Sequence, residues 1–201
     1  MKNKFSVRVF AVVLALVLVL QGSVFAATGG EQLLKHNLIQ GTGNGLAEDQ
    51  VFTREQFARV VCEVLGEAEA AKAYSGKLMY ADADQVSDWA KPYVAYVTDK
   101  KWMSGVGDNK FHPLGIVSEA QIGAVLLRAM GYQYSWSEIS VRLFAHGIAP
   151  IKSNLKRGEA FDYIWRAIRQ PIGKDGKSLL ERLGKMTKEE LNQADAAESI
   201  R

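Results

Sequence analysis

A pattern of glycines, a helix cap and an apolar helix face occurs twice in this chain, and it constrains the fold more than any other feature. Residues 39–44 read Ile-Gln-Gly-Thr-Gly-Asn, and residues 103–108 read Met-Ser-Gly-Val-Gly-Asp. Twelve residues after the first glycine of the first stretch comes Thr53, and thirteen residues after that of the second comes Ser118. Such a repeat indicates a supersecondary unit that buries its apolar face only by packing against its copies.

Both copies continue with the same helix signals. Thr53-Arg-Glu-Gln56 and Ser118-Glu-Ala-Gln121 are capping boxes, in which the hydroxyl accepts from a first-turn amide and the Gln reaches back to the cap amide. The apolar positions that follow are in the same helical register: Phe57, Val60, Val61, Val64 and Leu65 in the first copy, and Ile122, Val125, Leu126, Ala129 and Met130 in the second. Each helix ends at a glycine, Gly66 or Gly131.

A third, weaker copy lies within residues 136–171. Gly147 supplies the turn glycine, the cap motif reads Leu155-Lys-Arg-Gly-Glu159 without a hydroxyl, and Pro171 stops the helix. The apolar spacing is reproduced by Ala160, Tyr163, Ile164, Ala167 and Ile168. A preceding helix is expected before each turn. We therefore predict a mainly α fold, in which three helix–loop–helix units, residues 31–66, 80–132 and 136–171, pack as a pseudo-threefold helical bundle.

The middle unit resembles an S-layer homology (SLH) repeat. The family pattern has an aromatic-x-Asp start, a Trp-Ala pair, a first helix, a Gly-x-Gly-Asp-Gly-x-Phe-x-Pro turn, a Thr-Arg-Ala-Glu motif and a second helix ending in Leu-Gly. The matching positions are Tyr80, Asp82, Trp89, Ala90, Gly105, Gly107, Asp108, Phe111, Pro113 and Gly131. The match is specific for this unit, moderate for residues 31–66 and weak for residues 136–171.

The resemblance implies non-covalent anchoring of an exported protein to the bacterial cell wall. The implied partner is a secondary cell-wall polysaccharide bearing pyruvate ketals, bound in grooves between repeats. The ketal carries a carboxylate, which a guanidinium can grip through two hydrogen bonds. Arg54 lies at the arginine of the family motif, and Arg157 occupies the same place in the third unit, with a solvent-exposed arginine at a helix start as the alternative for each. The other candidate ligand-binding residues are Trp89, Asp82, Thr53 and Lys156, with a core position as the alternative for Trp89.

Three positions depart from the family motif. Glu119 replaces its arginine in the middle unit, Gln56 replaces its glutamate in the first, and Lys156 replaces its threonine in the third. We expect the groove at Glu119 to repel a carboxylate unless another cation lies nearby. The departures leave an alternative open: a structural or protein-interaction module that no longer binds polysaccharide and binds another envelope protein.

Residues 1–26 have the pattern of a secretory signal peptide. A basic head (Lys2, Lys4 and Arg8) precedes an apolar run at residues 9–20, and Val24-Phe-Ala26 offers a cleavage site after Ala26. A retained membrane anchor is the alternative. The segment holds three of the 25 basic residues and none of the 22 acidic ones, so the rest of the chain is formally neutral. We therefore expect a secreted protein without a transmembrane segment after cleavage and without nucleic-acid binding. The resemblance implies that it lies at the cell wall or surface of a Gram-positive bacterium.

Other kinds of site have little support. The glycines of residues 41–45 lack the Lys-Ser/Thr and the preceding strand of a phosphate-binding loop. Asp82, Asp84 and Asp88 lack the ligand register of an EF-hand. The three histidines are far apart, so we expect no metal site among them. No Ser-His-Asp signature or paired-carboxylate motif stands out, so we expect no cofactor and no enzymatic activity.

Two remaining features bear on packing. Cys62 lies in an apolar helical pattern and is expected to be a small buried hydrophobe, with a reactive thiol as the alternative.

Residues 172–201 form a C-terminal tail in which Leu179, Leu180, Leu183 and Met186 have helical spacing and Thr187 opens a capping box. The tail is expected to form one or two short amphipathic helices.

Overall fold

The computed structural model describes residues 27–41, 43 and 45–199. This part of the chain is mainly helical, as predicted, and contains no β-sheet. Its α-helices are α1 (Gly29–Lys35), α2 (Arg54–Val64), α3 (Ala68–Lys72), α4 (Lys91–Asp99), α5 (Glu119–Ala129), α6 (Trp136–Ala145), α7 (Arg157–Arg169), α8 (Leu179–Arg182) and α9 (Lys188–Ser199). A 3₁₀ helix, Ala83–Gln85, precedes α4. The predicted signal peptide and its cleavage site lie outside the described residues.

The described helices include none with the length and apolar character needed to cross a membrane.

Helices α2, α5 and α7 are the second helices of the three units, and the two predicted capping boxes are confirmed. The amide of Gln56 donates to Thr53 Oγ1 at 3.4 Å, and that of Gln121 donates to Ser118 Oγ at 3.3 Å. Each cap amide donates in turn to the Gln side chain. At the start of α7 one of the two hydrogen bonds of a capping box is present, because the amide of Lys156 donates to Glu159 Oε2 at 3.0 Å. All residues of the predicted apolar faces are buried except Leu65 and Ala129, which are half-buried.

These three helices begin around a ring of main-chain hydrogen bonds. The amide of Phe52 donates to the carbonyl of Leu155 at 3.0 Å, that of Leu155 to Val117 at 3.1 Å, and that of Val117 to Phe52 at 3.0 Å. Each of these residues lies two positions before its helix and has no exposed surface. Because an unpaired buried amide or carbonyl destabilises a fold by about 1–3 kcal/mol, the ring holds the three units together around one pseudo-threefold axis.

A second set of main-chain bonds joins the units in a cycle. The first amide of each of these helices donates to a loop of the next unit: Arg54 to Gly115 at 2.9 Å, Glu119 to Lys152 at 3.1 Å and Arg157 to Gln50 at 2.8 Å. These amides have no acceptor within their own helix, so the neighbouring loop supplies one. We call the contact of α2 with the middle unit the first interface, that of α5 with the third unit the second, and that of α7 with the first unit the third.

The glycine turn of the middle unit is tied to the start of that unit. Asp82 accepts hydrogen bonds from the amides of Phe111 and His112, each at 2.8 Å. Burial alone would raise the pKa of Asp82, but these hydrogen bonds, with nearby Lys110, outweigh it and lower the pKa. Phe111 is fully buried, and Gly105 is required because a Cβ there would lie 2.6 Å from the carbonyl oxygen of Lys110.

The remaining sequence expectations about packing have mixed outcomes. The tail forms α8 and α9, and its Leu179, Leu180 and Leu191 are buried. Cys62 is fully buried, and burial, with Glu67 and Glu63, raises its thiol pKa to about 12, so it is a buried hydrophobe as predicted. The core alternative for Trp89 is wrong, because 46% of this residue is exposed just before α4.

The link between Asp82 and the turn makes a testable contribution to stability. We expect Asp82→Ala to lower the free energy of unfolding by about 2 kcal/mol, because the amide of Phe111 then lies buried without an acceptor. Urea unfolding measures the change. Asp84→Ala, on an exposed residue of the same segment, is the control and is expected to change stability by less than about 0.5 kcal/mol.

The same pair of proteins tests the pKa. A carboxyl with a lowered folded pKa stabilises the fold above its unfolded pKa, here about 3.8, and this contribution is lost as the pH falls through the folded value. The difference in stability between the wild-type protein and Asp82→Ala should therefore shrink in that acidic range. A difference that stays constant down to about pH 2 would show that the carboxylate charge is not what stabilises the turn.

Candidate functional site

A cavity of about 340 Å³ lies at the first interface. Its walls are the start of α2, the glycine turn of the middle unit, one side of α5 and the first residue of α6. The lining residues are Arg54, Phe57, Met103, Ser104, Gly105, Val106, Gln121, Ala124, Val125, Arg128 and Trp136. We call this space the first-interface cavity. It brings two guanidinium groups, a stretch of turn backbone and an indole ring around one volume.

Arg54, the motif arginine, lies in the wall of this cavity and is only 5% exposed. Its Nε donates to the carbonyl of Phe111 and its Nη2 to that of Ser104, each at 2.8 Å, and its guanidinium lies 4.7 Å from the centre of the Phe111 ring. Burial lowers the pKa of Arg54, while nearby Tyr80 and Asp82 oppose that effect, and a guanidinium stays charged throughout. Among the described residues, no carboxylate forms an ion pair with Arg54 and no hydrogen bond leaves its Nη1.

Arg128 is the second cation of the cavity, and the sequence analysis missed it. It lies near the end of α5, where a basic residue is readily explained by the helix dipole, and this gave no signal of a site. Its Nη1 donates to the carbonyl of Trp102 at 3.3 Å, and burial lowers its pKa. No acidic side chain in the described part of the chain forms an ion pair with it.

Trp136 supplies a flat apolar surface at the rim of the cavity and was also missed. It is the first residue of α6, and 58% of it is exposed. An indole in this setting offers both a stacking face and an N–H donor, which suits the ring and hydroxyl groups of a sugar. Trp136 follows the middle unit in the sequence, and this position gave no indication that it would line the same cavity as Arg54.

The other five candidate residues, Thr53, Asp82, Trp89, Lys156 and Arg157, lie outside this cavity lining, and Thr53 and Asp82 have structural roles. The Thr53 hydroxyl caps α2, and the Asp82 carboxylate holds the glycine turn. Lys156 is exposed, with its Nζ 3.6 Å from Asp49 Oδ1.

Arg157 braces the third interface in the way that Arg54 braces the first. Its Nε donates to the carbonyl of Leu46 at 3.0 Å, and its guanidinium lies over the rings of Phe52 and Phe161 at 5.3 and 5.1 Å. Burial lowers its pKa, nearby Arg59 lowers it further, and Glu63 opposes both effects. Both arginines of the family motif therefore contribute to packing between units.

Glu119 takes the arginine position at the second interface and is buried there. Its Oε2 accepts the amides of Ile151 and Lys152, and its Oε1 lies 3.8 Å from Nη2 of Arg166. The sequence analysis left open whether a cation would accompany this carboxylate, and Arg166 is that cation. An arginine at position 119 would leave the two amides without an acceptor, so Glu119→Arg would disturb the fold as well as the charge.

No group of three His, Cys, Asp or Glu side chains is placed to hold a metal ion within the region described.

The fork geometry of Arg54 leads to a stability prediction. We expect Arg54→Lys to lower the free energy of unfolding by about 1–3 kcal/mol, because an ammonium cannot reproduce the two divergent hydrogen bonds and the planar contact with Phe111. Chemical denaturation measures it. Arg59→Lys is the matched control, since Arg59 is a half-exposed arginine paired with Glu63 on the same helix and its pair is worth less than about 1 kcal/mol. Equal effects of the two changes would contradict the bracing role of Arg54.

Comparison with known proteins places this geometry in a family. The model of the S-layer homology domain matches residues 80–122, which run from the start of the middle unit through the glycine turn into α5. The chain is 28% identical over 142 residues to the "Middle cell wall protein" of Brevibacillus brevis, covering 66% of this chain and 13% of that protein. It is 29% identical over 99 residues to the "Surface layer protein" of Brevibacillus choshinensis, covering 49% and 9%.

A third relative covers more of the chain. The "Cell surface protein" of Thermoanaerobacter kivui is 30% identical over 165 residues, which cover 77% of this chain and 22% of that protein. The chain thus spans less than a quarter of the length of each of these relatives. Residues 80–122, which the family model matches, include the glycine turn that Arg54 contacts and the start of α5. The resemblance noted in the sequence is confirmed. The chain contains an S-layer homology domain at residues 80–122.

Proposed function

We propose that this chain is an exported envelope protein that attaches non-covalently to the bacterial cell wall by binding a pyruvylated secondary cell-wall polysaccharide in the first-interface cavity. The observation that carries the proposal is the placement of Arg54 and Arg128 around one cavity without an ion pair to either in the described structure. The names of the relatives, a cell wall protein, a surface layer protein and a cell surface protein, support a location on the surface of a Gram-positive bacterium.

The chemistry of the cavity suits an acidic sugar. A pyruvate ketal places a carboxylate on a sugar ring, and charge-assisted hydrogen bonds from arginine to such a group contribute about 1.5–3 kcal/mol. Burial around Arg54 and Arg128 reduces screening by solvent and salt, which strengthens that attraction. Trp136 lies where a sugar ring could stack, and the backbone of residues 104–106 offers polar groups for hydroxyls.

The proposal divides the earlier candidates by role. Arg54 binds the carboxylate together with Arg128, while Thr53 and Asp82 position Arg54 by capping α2 and by holding the turn that Arg54 contacts. Trp89, Arg157 and Lys156 lie away from the cavity and have no part in it.

We also propose that residues 31–66, 80–132 and 136–171 are three S-layer homology repeats, the third degenerate. The ring of hydrogen bonds among Phe52, Val117 and Leu155 supports this, because each unit contributes an equivalent residue. Residues 172–201 then form a helical tail packed on the repeats, and residues 1–26 a signal peptide that is removed.

Co-sedimentation with Gram-positive cell walls tests the proposed function. The purified chain should bind native walls, and chemical removal of pyruvate from the walls should abolish binding. Arg128→Gln should weaken binding by about tenfold or more, because it removes one charge-assisted contact. Arg142→Gln is the control, since Arg142 is a solvent-exposed arginine on α6 that pairs with Glu138 and lies outside the cavity.

Two outcomes would contradict the proposal in different ways. Equal binding to native and depyruvylated walls would indicate another wall polymer as the ligand. Binding to neither would rule out the anchor function and favour a structural or protein-interaction module that binds another envelope protein.

A further inference from the structure

The three interfaces carry different charges at two equivalent positions. The first position is the first residue of α2, α5 or α7. The second position belongs to the helix on the other side of the interface and lies nine residues after the first residue of that helix. The resulting pairs are Arg54 with Arg128 at the first interface, Glu119 with Arg166 at the second, and Arg157 with Glu63 at the third. The same backbone arrangement therefore carries two cations in one place and a cation with an anion in the other two.

At the second interface the chain supplies its own carboxylate. Glu119 lies 3.8 Å from Arg166 and also accepts the amides of Ile151 and Lys152. It is 5% exposed, so its charge is held in place and poorly screened. A ligand carboxylate entering here would compete with Glu119 for Arg166 and be repelled by it.

At the third interface the acidic group is Glu63. Its carboxylate forms an ion pair with Nε of Arg59 at 2.8 Å and accepts the amide of Gln40 at 3.2 Å. Its side chain is only 8% exposed. A ligand carboxylate approaching Arg157 would meet this Glu63–Arg59 ion pair, with a fixed carboxylate at the position where the first interface has Arg128.

The first interface has no such internal carboxylate in contact with its arginines. Asp82 is the acidic group that acts on Arg54, but its two oxygens accept the amides of Phe111 and His112 and it forms no ion pair with Arg54 in the described structure. Of the three interfaces as described, this one alone has two arginines that are not in an ion pair.

We propose that the chain has one groove for an acidic sugar, at the first interface, and that its own carboxylates Glu119 and Glu63 close the other two. This inference rests on the proposed function and adds the number of sites and the residues that set it. Two like charges a few ångströms apart near a protein surface repel strongly enough to weaken binding by about tenfold to several hundredfold.

Isothermal titration with a methyl glycoside that carries a pyruvate ketal tests the number of sites. The purified chain should bind one molecule of this probe. Arg128→Gln should weaken binding by about tenfold or more, whereas Arg166→Gln, the matched change at the equivalent position of α7, should leave it within about twofold. Two or three equal sites, or equal losses in the two variants, would overturn the inference.

A second variant tests the closing mechanism without touching a buried group. Val106 lines the cavity, and 53% of it is exposed, so Val106→Glu should fold normally and place a carboxylate in the first groove as Glu119 does in the second. It should weaken probe binding by about tenfold or more. Leu114→Glu, at an exposed apolar residue outside the cavity, is the control and should bind normally. Normal binding by Val106→Glu would overturn the proposal.

The failures of the two proposals are distinguishable. If the chain binds walls with three equal sites for the probe, the anchor function stands and the single groove does not. If it binds walls but not the probe, the same variants are compared by co-sedimentation, and equal losses for Arg128→Gln and Arg166→Gln overturn the single groove alone. Binding to neither walls nor probe overturns both.

Discussion

Three main-chain hydrogen bonds among Phe52, Val117 and Leu155 form a ring that joins the three units at the starts of α2, α5 and α7. Each residue donates one bond and accepts one, and all three are fully buried. Removing any unit would leave a buried amide and a buried carbonyl without partners in the other two. The ring also fixes where α2, α5 and α7 begin, so the first side chain of each helix is placed against a loop of the next unit. The contacts at the three interfaces follow from that placement.

This placement explains how one residue can serve both the fold and a binding site. Arg54 donates to two carbonyls of the neighbouring turn, which fixes its guanidinium beside the first-interface cavity. An arginine held this way loses little further conformational freedom when a ligand binds. Glu119 shows that the backbone tolerates the opposite charge at the same position, because its carboxylate accepts two amides of the neighbouring loop. Charge at an interface can therefore change while the ring is preserved.

Local features of the fold could be predicted from the sequence, and contacts between units could not. The caps at Thr53 and Ser118 follow from four-residue motifs, and the helix faces follow from apolar spacing, so both were predictable. Arg54 was found through the family motif. Arg128 and Trp136 line the same cavity as Arg54 only because the tertiary fold brings the end of α5 and the start of α6 to the first interface, and no spacing in the sequence encodes that proximity. For the same reason the sequence raised the question of a cation near Glu119 without identifying Arg166.

We propose that an acidic wall sugar binds between the first two units, beside Arg54 and Arg128. Nuclear magnetic resonance of the side-chain N–H groups during titration with pyruvylated wall polysaccharide fragments tests it most directly. The account predicts that the Nε–H signals of Arg54 and Arg128 and the indole N–H signal of Trp136 shift together, while those of Arg157, Arg166 and Trp89 stay in place. Shifts centred on Arg157 or Arg166, or a titration that moves none of these signals, would contradict it.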